Sequence, residues 1–188
     1  MEAPLAISVA IDLMRTPSRV WALRSSPLAK GVDMLLQIAA GDVEAESDAV
    51  EITGRSAETI RSAAAFFIEQ ILFYSEADSY RVLGVNPQAS GNELRHNMTL
   101  LLKWLHPDKE GGVTRSLYAI NVTNAWNDLK TEERRALYDS TRVNKKPHRS
   151  RRRSVDMAHP KNIARPVDRD ARSLTSRWWL FFFGRRGL

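Results

Sequence analysis

The chain has no cysteine among its 188 residues. No disulfide framework, thiolate nucleophile, zinc ribbon or iron–sulfur cluster can therefore be built from it. It also lacks any run approaching the roughly 18 apolar residues needed to cross a bilayer. The start, Met1-Glu2, has no basic stretch, and Asp12 interrupts the apolar residues after it, so a secretory signal is not expected there. Histidine is scarce. His96 and His106 are ten residues apart, and His148 and His159 fall in a polar tail. Neither a metal site nor a cofactor is expected. These absences lead to the expectation of a soluble, cytoplasmic protein.

Charge is present but unevenly placed. The net charge is +6, yet from Ser140 onward 14 Lys+Arg face only 3 Asp+Glu, a balance of +11, and residues 1–139 carry −5. The basicity belongs to the tail, which argues against reading the whole chain as a nucleic-acid binder.

The hydrophobic pattern predicts an all-α fold. Ala6 to Met14 suit a short helix. Leu28, Val32, Leu35, Leu36 and Ala39 share one helical face, and after the N-cap Ser56 so do Ile60, Ala64, Phe67, Ile71 and Tyr74. Residues 28–40 and 57–74 are expected to form a helical hairpin docked on the domain that begins near residue 78, with acidic residues 41–54 as a loop between them. Asp78 to Val85 start a short helix, with Gly84 in the turn after it. Ser90 and Glu93 make a capping box for a helix with Leu94, Met98, Leu101 and Leu105 inward and Arg95, His96, Thr99 and Lys103 outward. His106-Pro107-Asp108 stops that helix, because the residue before a proline avoids the helical region. A second long helix from near Thr114 places Tyr118, Val122, Ala125 and Leu129 on one face. The two must lie antiparallel to bury their stripes together. A last helix, capped by Thr131, runs to Tyr138. Residues 143–173 hold too few apolar side chains to repay ordering and are expected to be disordered.

The stretches DSYRVLGV, NELRHNMTLLLKWLHPD and NAWNDLKTEERRALYD, over residues 78–140, resemble the J domain of DnaJ-type co-chaperones. The domain reading is then an N-terminal helical extension at 1–77, a J domain at 78–140 and a basic tail at 141–188. With neither a glycine/phenylalanine-rich segment after the J domain nor CxxC repeats, the chain is similar to the heterogeneous third class of the family. The resemblance implies function by contact rather than chemistry: binding to a DnaK-type ATPase chaperone and promotion of its ATP hydrolysis, with no enzymatic activity on this chain. His106, Pro107 and Asp108 would be the signalling loop. Pro107 stiffens the corner, Asp108 accepts from a chaperone arginine, and His106 holds the loop's shape. Arg95, His96, Lys103 and Lys109 would supply a basic contact surface, with Arg134 and Arg135 adding to it or merely solvating their helix.

Several departures matter. Thr99 and Leu100 stand where the family commonly has basic residues, and Met98 replaces an aromatic. Leu100 and Trp104 add a second apolar stripe, either covered by the N-terminal helices or widening the chaperone contact. The tail ends in Trp178 to Phe183 between Arg177 and Arg185-Arg186. It is read as inert or self-packing, as a tether to an anionic membrane, or least favourably as a nucleic-acid binder. The rival to the co-chaperone reading is a structural or membrane-surface adaptor that keeps a J fold without activity.

Overall fold

The computed structural model describes residues 5–106 and 112–144. Every regular element among them is helical, and the one strand-like contact is an isolated bridge between Leu5 and Lys30. The helices are α1 (Ala6–Arg15), α2 (Val20–Ser25), α3 (Val32–Ala40), α4 (Val43–Thr53), α5 (Ala57–Phe67), α6 (Ser79–Val82), α7 (Gly91–Trp104), α8 (Gly112–Leu129) and α9 (Glu132–Asn144). None is long and apolar enough to cross a membrane. The tail beyond Asn144, with its expected disorder and its aromatic end, lies outside the described residues.

One hydrophobic core runs through all of this, from Ala6 and Ile7 in α1 to Val122, Ala125 and Leu129 in α8. Helix α1 is more than a weak appendage. It buries Ala6, Ile7, Ala10, Ile11 and Leu13 and packs along α5. Its start is pinned by the Ala6 N–H donating to the Lys30 carbonyl at 2.8 Å.

The expected loop at 41–54 is instead helix α4, and this corrects the reading of its acidic composition. Asp42 caps it, accepting from the Glu44 and Ala45 amides at 3.0 and 3.2 Å, and Glu44 and Glu46 complement the positive helix start. Its fully buried residues are only Ala45 and Ala49, with Val50 partly buried beside them, too slender a stripe to register as hydrophobic periodicity. The preceding helix α3 ends at Ala40 and is capped by Gly41, whose φ of +84° closes the turn with Asp42 N–H bonded back to Gln37.

The expected hairpin of residues 28–40 and 57–74 is present as α3 packed on α5, and α3 also covers one flank of α7. Past Phe67 the second helix widens into a π turn, Ile68–Leu72, with the Phe73 amide reaching back five residues to Ile68. The wider turn delivers Phe73 to the rings of Trp104 and Tyr118. Gly84, at φ +67°, lets the chain pass tightly under this layer. A Cβ there would stand 3.1 Å from Val32 Cγ1 and 3.4 Å from both Leu36 Cδ1 and Leu72 Cδ1.

Helices α7 and α8 form an antiparallel pair. Arg95, near the start of α7, lies over Trp126 near the end of α8, while Trp104 at the end of α7 meets Arg115 at the start of α8. Leu94, Met98, Leu101 and Leu105 are buried as their spacing predicts, and so are Val122, Ala125 and Leu129. Ser90 accepts from the Glu93 amide at 3.2 Å and Thr131 from the Arg134 amide at 3.3 Å, so both expected N-caps form. Helix α9 runs to Asn144, past the expected end at Tyr138, because Arg142 pairs with Asp78 at 2.7 Å and stabilises the added turn.

Candidate protein-docking site

The open end of the α7–α8 pair is built from side chains of three elements. The Arg115 guanidinium donates to the Trp104 carbonyl at 2.7 Å and lies 5.0 Å from the centre of its ring. That bond satisfies a helix-terminal carbonyl that would otherwise lack a partner, and it ties the first turn of α8 to the last turn of α7. From below, Phe73 stacks on Trp104 with ring centres 6.2 Å apart and touches Tyr118 at 4.6 Å. Between these fixed ends runs the connection from Leu105 to the start of α8 at Gly112. His106 is half-buried at its beginning. Pro107, Asp108 and Lys109 lie outside the described residues.

The outward face of α7 carries Arg95, His96, Thr99 and Lys103, all exposed. Arg95 is steadied by its 5.9 Å contact with the Trp126 ring, and Thr99 bonds back to the Arg95 carbonyl at 3.0 Å. Trp104 is buried and Leu100 partly so. Of the second apolar stripe, Trp104 is thus covered by Phe73, and Leu100 is partly buried against the core.

Helix α9 has a different job. Arg135 donates to the Tyr80 hydroxyl at 2.9 Å, to the Ala89 carbonyl at 2.8 Å and to the Pro87 carbonyl, and it lies over the Tyr80 ring. The Tyr80 hydroxyl in turn donates to Asp139 at 3.0 Å. Tyr138 accepts from the Ser79 amide at 2.8 Å, and the Ser79 hydroxyl donates to Asp128 at 2.7 Å. Arg135 therefore clasps the turn between α6 and α7. Its neighbour Arg134 is exposed and donates to the Asn127 carbonyl at 3.0 Å. Replacing Arg135 with Met should cost about 2 kcal/mol of stability, since hydrogen bonds from a charged group are worth about 1.5–3 kcal/mol. Arg134→Met should change stability by less than about 0.5 kcal/mol. Urea denaturation of the two variants checks the contrast.

Two residues that matter here had no sequence signal. Arg115 reads as an ordinary surface arginine until Trp104 is seen beside it. Asn97 is only 2 % exposed, in the middle of the α7 core face, and donates to the Leu83 carbonyl at 3.0 Å. It binds the turn around Gly84 to α7, while its own side-chain oxygen has no hydrogen-bond partner.

Burial raises the Tyr80 phenol above the ordinary value of 10, opposed by the Arg135 bond and reinforced by Asp139. Burial, then the charge of Glu69, raises Tyr118 likewise. A phenol with a raised folded pKa contributes stability that is complete below the unfolded value and is lost as pH climbs through the folded one. The protein should therefore hold its stability up to about pH 10 and lose it above, with part of the tyrosine absorbance at 295 nm appearing only as it unfolds.

A family model for the DnaJ domain matches residues 78–139, which takes in α6, α7, the connection, α8 and most of α9. Residues 78–139 are a J domain. Over 66 residues the chain is 38% identical to the Chaperone protein DnaJ of Orientia tsutsugamushi (strain Ikeda), a match covering 35% of this chain and 18% of that protein. The chain thus shares with that relative a J domain and little else of its length. No solved structure matches the chain significantly. These 188 residues include no cysteine, so they form no cysteine-ligated zinc finger.

Proposed function

We propose that this chain is a co-chaperone that docks on a DnaK-type ATPase chaperone through the His106-Pro107-Asp108 loop and the outward face of α7, and so stimulates ATP hydrolysis on that partner. The observation that carries the reading is the pinned open end of the α7–α8 pair: Arg115 on the Trp104 carbonyl, with Phe73 beneath, holds both ends of the connection that bears this tripeptide. Those fixed ends set where the tripeptide is presented, beside the exposed face of α7. The DnaJ-domain match and the relative's name, a chaperone protein, support a chaperone role.

In this reading no bond is made or broken on the chain itself. Asp108 supplies an anionic acceptor for a partner arginine and Pro107 fixes its direction. Arg95 and Lys103 bring positive charge to the approach, with His96 beside them, fewer cations than a fully basic helix would supply. Arg134 stands ready at the periphery, and Arg135 is committed to the α6–α7 turn. The N-terminal helices act as a buttress under the J domain. Association with an ATP-loaded DnaK-type chaperone, followed by sedimentation of the full chain, tests the docking. Saturable binding that weakens as salt is raised is expected; no binding, with the protein folded, defeats the proposal.

A further inference from the structure

Helix α2 and the tight turn Pro17–Arg19 before it contain no fully buried residue, Val20 and Leu23 resting only partly against the core. Yet α2 is firmly held. Arg24 donates to the Gln70 carbonyl at 2.8 Å, where the π turn leaves that oxygen accessible, and lies 4.9 Å over the Tyr74 ring. Arg81 reaches across from the J domain to the Leu23 carbonyl at 3.3 Å and to the Ser26 carbonyl. What this anchoring presents to solvent is an indole: Trp21 is 78% exposed. Met14, one turn before Pro17, is 38% exposed. Arg15 and Arg19, both exposed, lie within six residues of Trp21.

The charge around it is one-sided. No acidic residue occurs between Asp12 and Asp33, while Arg15, Arg19, Arg24 and Lys30 fall inside that interval. The stretch is a basic island on a body that is otherwise acidic, residues 1–139 carrying −5. A tryptophan exposed on an anchored helix, with Met14 exposed nearby in sequence and basic but no acidic residues in the same stretch, has the amphipathic make-up of a membrane-surface contact.

We propose that this surface is an anionic-membrane docking site, with Trp21 seated at the lipid headgroup level and Arg15 and Arg19 on lipid phosphates. Tryptophan favours that depth because its ring is apolar and its N–H can stay hydrated. Arginines beside it gain from the negative surface potential, each contributing about fivefold in partition. The inference does not depend on the partner of the α7–α8 end.

The aromatic end of the tail, Trp178 to Phe183, is a separate candidate for lipid contact, so the test must resolve position along the chain. Amide hydrogen exchange of the full chain is measured with vesicles of phosphatidylcholine alone and of equal parts phosphatidylcholine and phosphatidylserine. Protection over residues 14–25 with the anionic vesicles only is the expected result. The combined variant Trp21→Ser, Arg15→Gln, Arg19→Gln should lose that protection while keeping its far-ultraviolet spectrum, and its partition should fall by about tenfold or more. The proposal is overturned if residues 14–25 stay unprotected while the chain binds through its tail. It is equally overturned if the variant binds like the parent, or if the same residues are protected by single-stranded RNA and not by vesicles.

Discussion

Removing residues 1–77 should cost the J domain most of its stability. The N-terminal helices are structural neighbours of the site rather than a tethered extra. Helix α3 covers a flank of α7, Phe73 lies against both Trp104 and Tyr118, and Val32, Leu36 and Leu72 line the close approach at Gly84. Exposing side chains of this size costs about 1.5–3 kcal/mol each. Two or three of them together approach the whole of a small domain's stability, about 5–15 kcal/mol. A chain of some 65 residues is marginal in any case, because it buries a smaller fraction of its surface. Urea unfolding followed by circular dichroism should give one cooperative transition for residues 1–144. For residues 78–144 alone it should give a transition shifted far down or lost into a slope. A fragment that unfolds at the same midpoint as the longer chain would show that the shared core contributes little.

The second large effect concerns the loop. His106→Gln and Asp108→Asn should each reduce stimulation of a DnaK-type chaperone to the basal rate, and Asp108→Asn should leave stability within about 0.5 kcal/mol of the parent by urea denaturation. Asn keeps the shape of Asp and loses its charge, so the change removes a charge-assisted bond worth about 1.5–3 kcal/mol and little else. That alone is about a tenfold to hundredfold loss of complex, and more of the coupling if the pair forms only as hydrolysis is triggered. Lys103→Ala should have a smaller effect, chiefly on association rate, since a rim charge steers encounter more than it holds the complex. Stimulation retained by both loop variants would mean that the contact is made elsewhere.

Much of the fold could be read in advance where one physical signal dominated. The α7 and α8 stripes are regular, the Ser90 and Thr131 caps are strong, and Gly84 falls where only a left-handed turn lets the chain pass. Helix α4 escaped because its buried face is alanine, and its acidic exterior imitates a loop. The end of α9 escaped because the Arg142–Asp78 pair joins residues 64 positions apart, which no local pattern reveals. For the site, the exposed face of α7 could be read from its period. The fate of Trp104 and Arg135 could not. Each is decided by partners from distant segments, Phe73 and Arg115 for one, and Tyr80 with the 87–89 turn for the other. An arginine in a basic pair looks like a contact residue whether it faces a partner or clasps its own fold.

The most direct test is single-turnover ATP hydrolysis by a DnaK-type chaperone, with the full chain and its Asp108→Asn variant compared at equal concentration. The account predicts that the parent chain accelerates hydrolysis at least about tenfold, while the variant leaves it at the rate of the chaperone alone. Equal rates with both proteins, whether raised or unchanged, would contradict it.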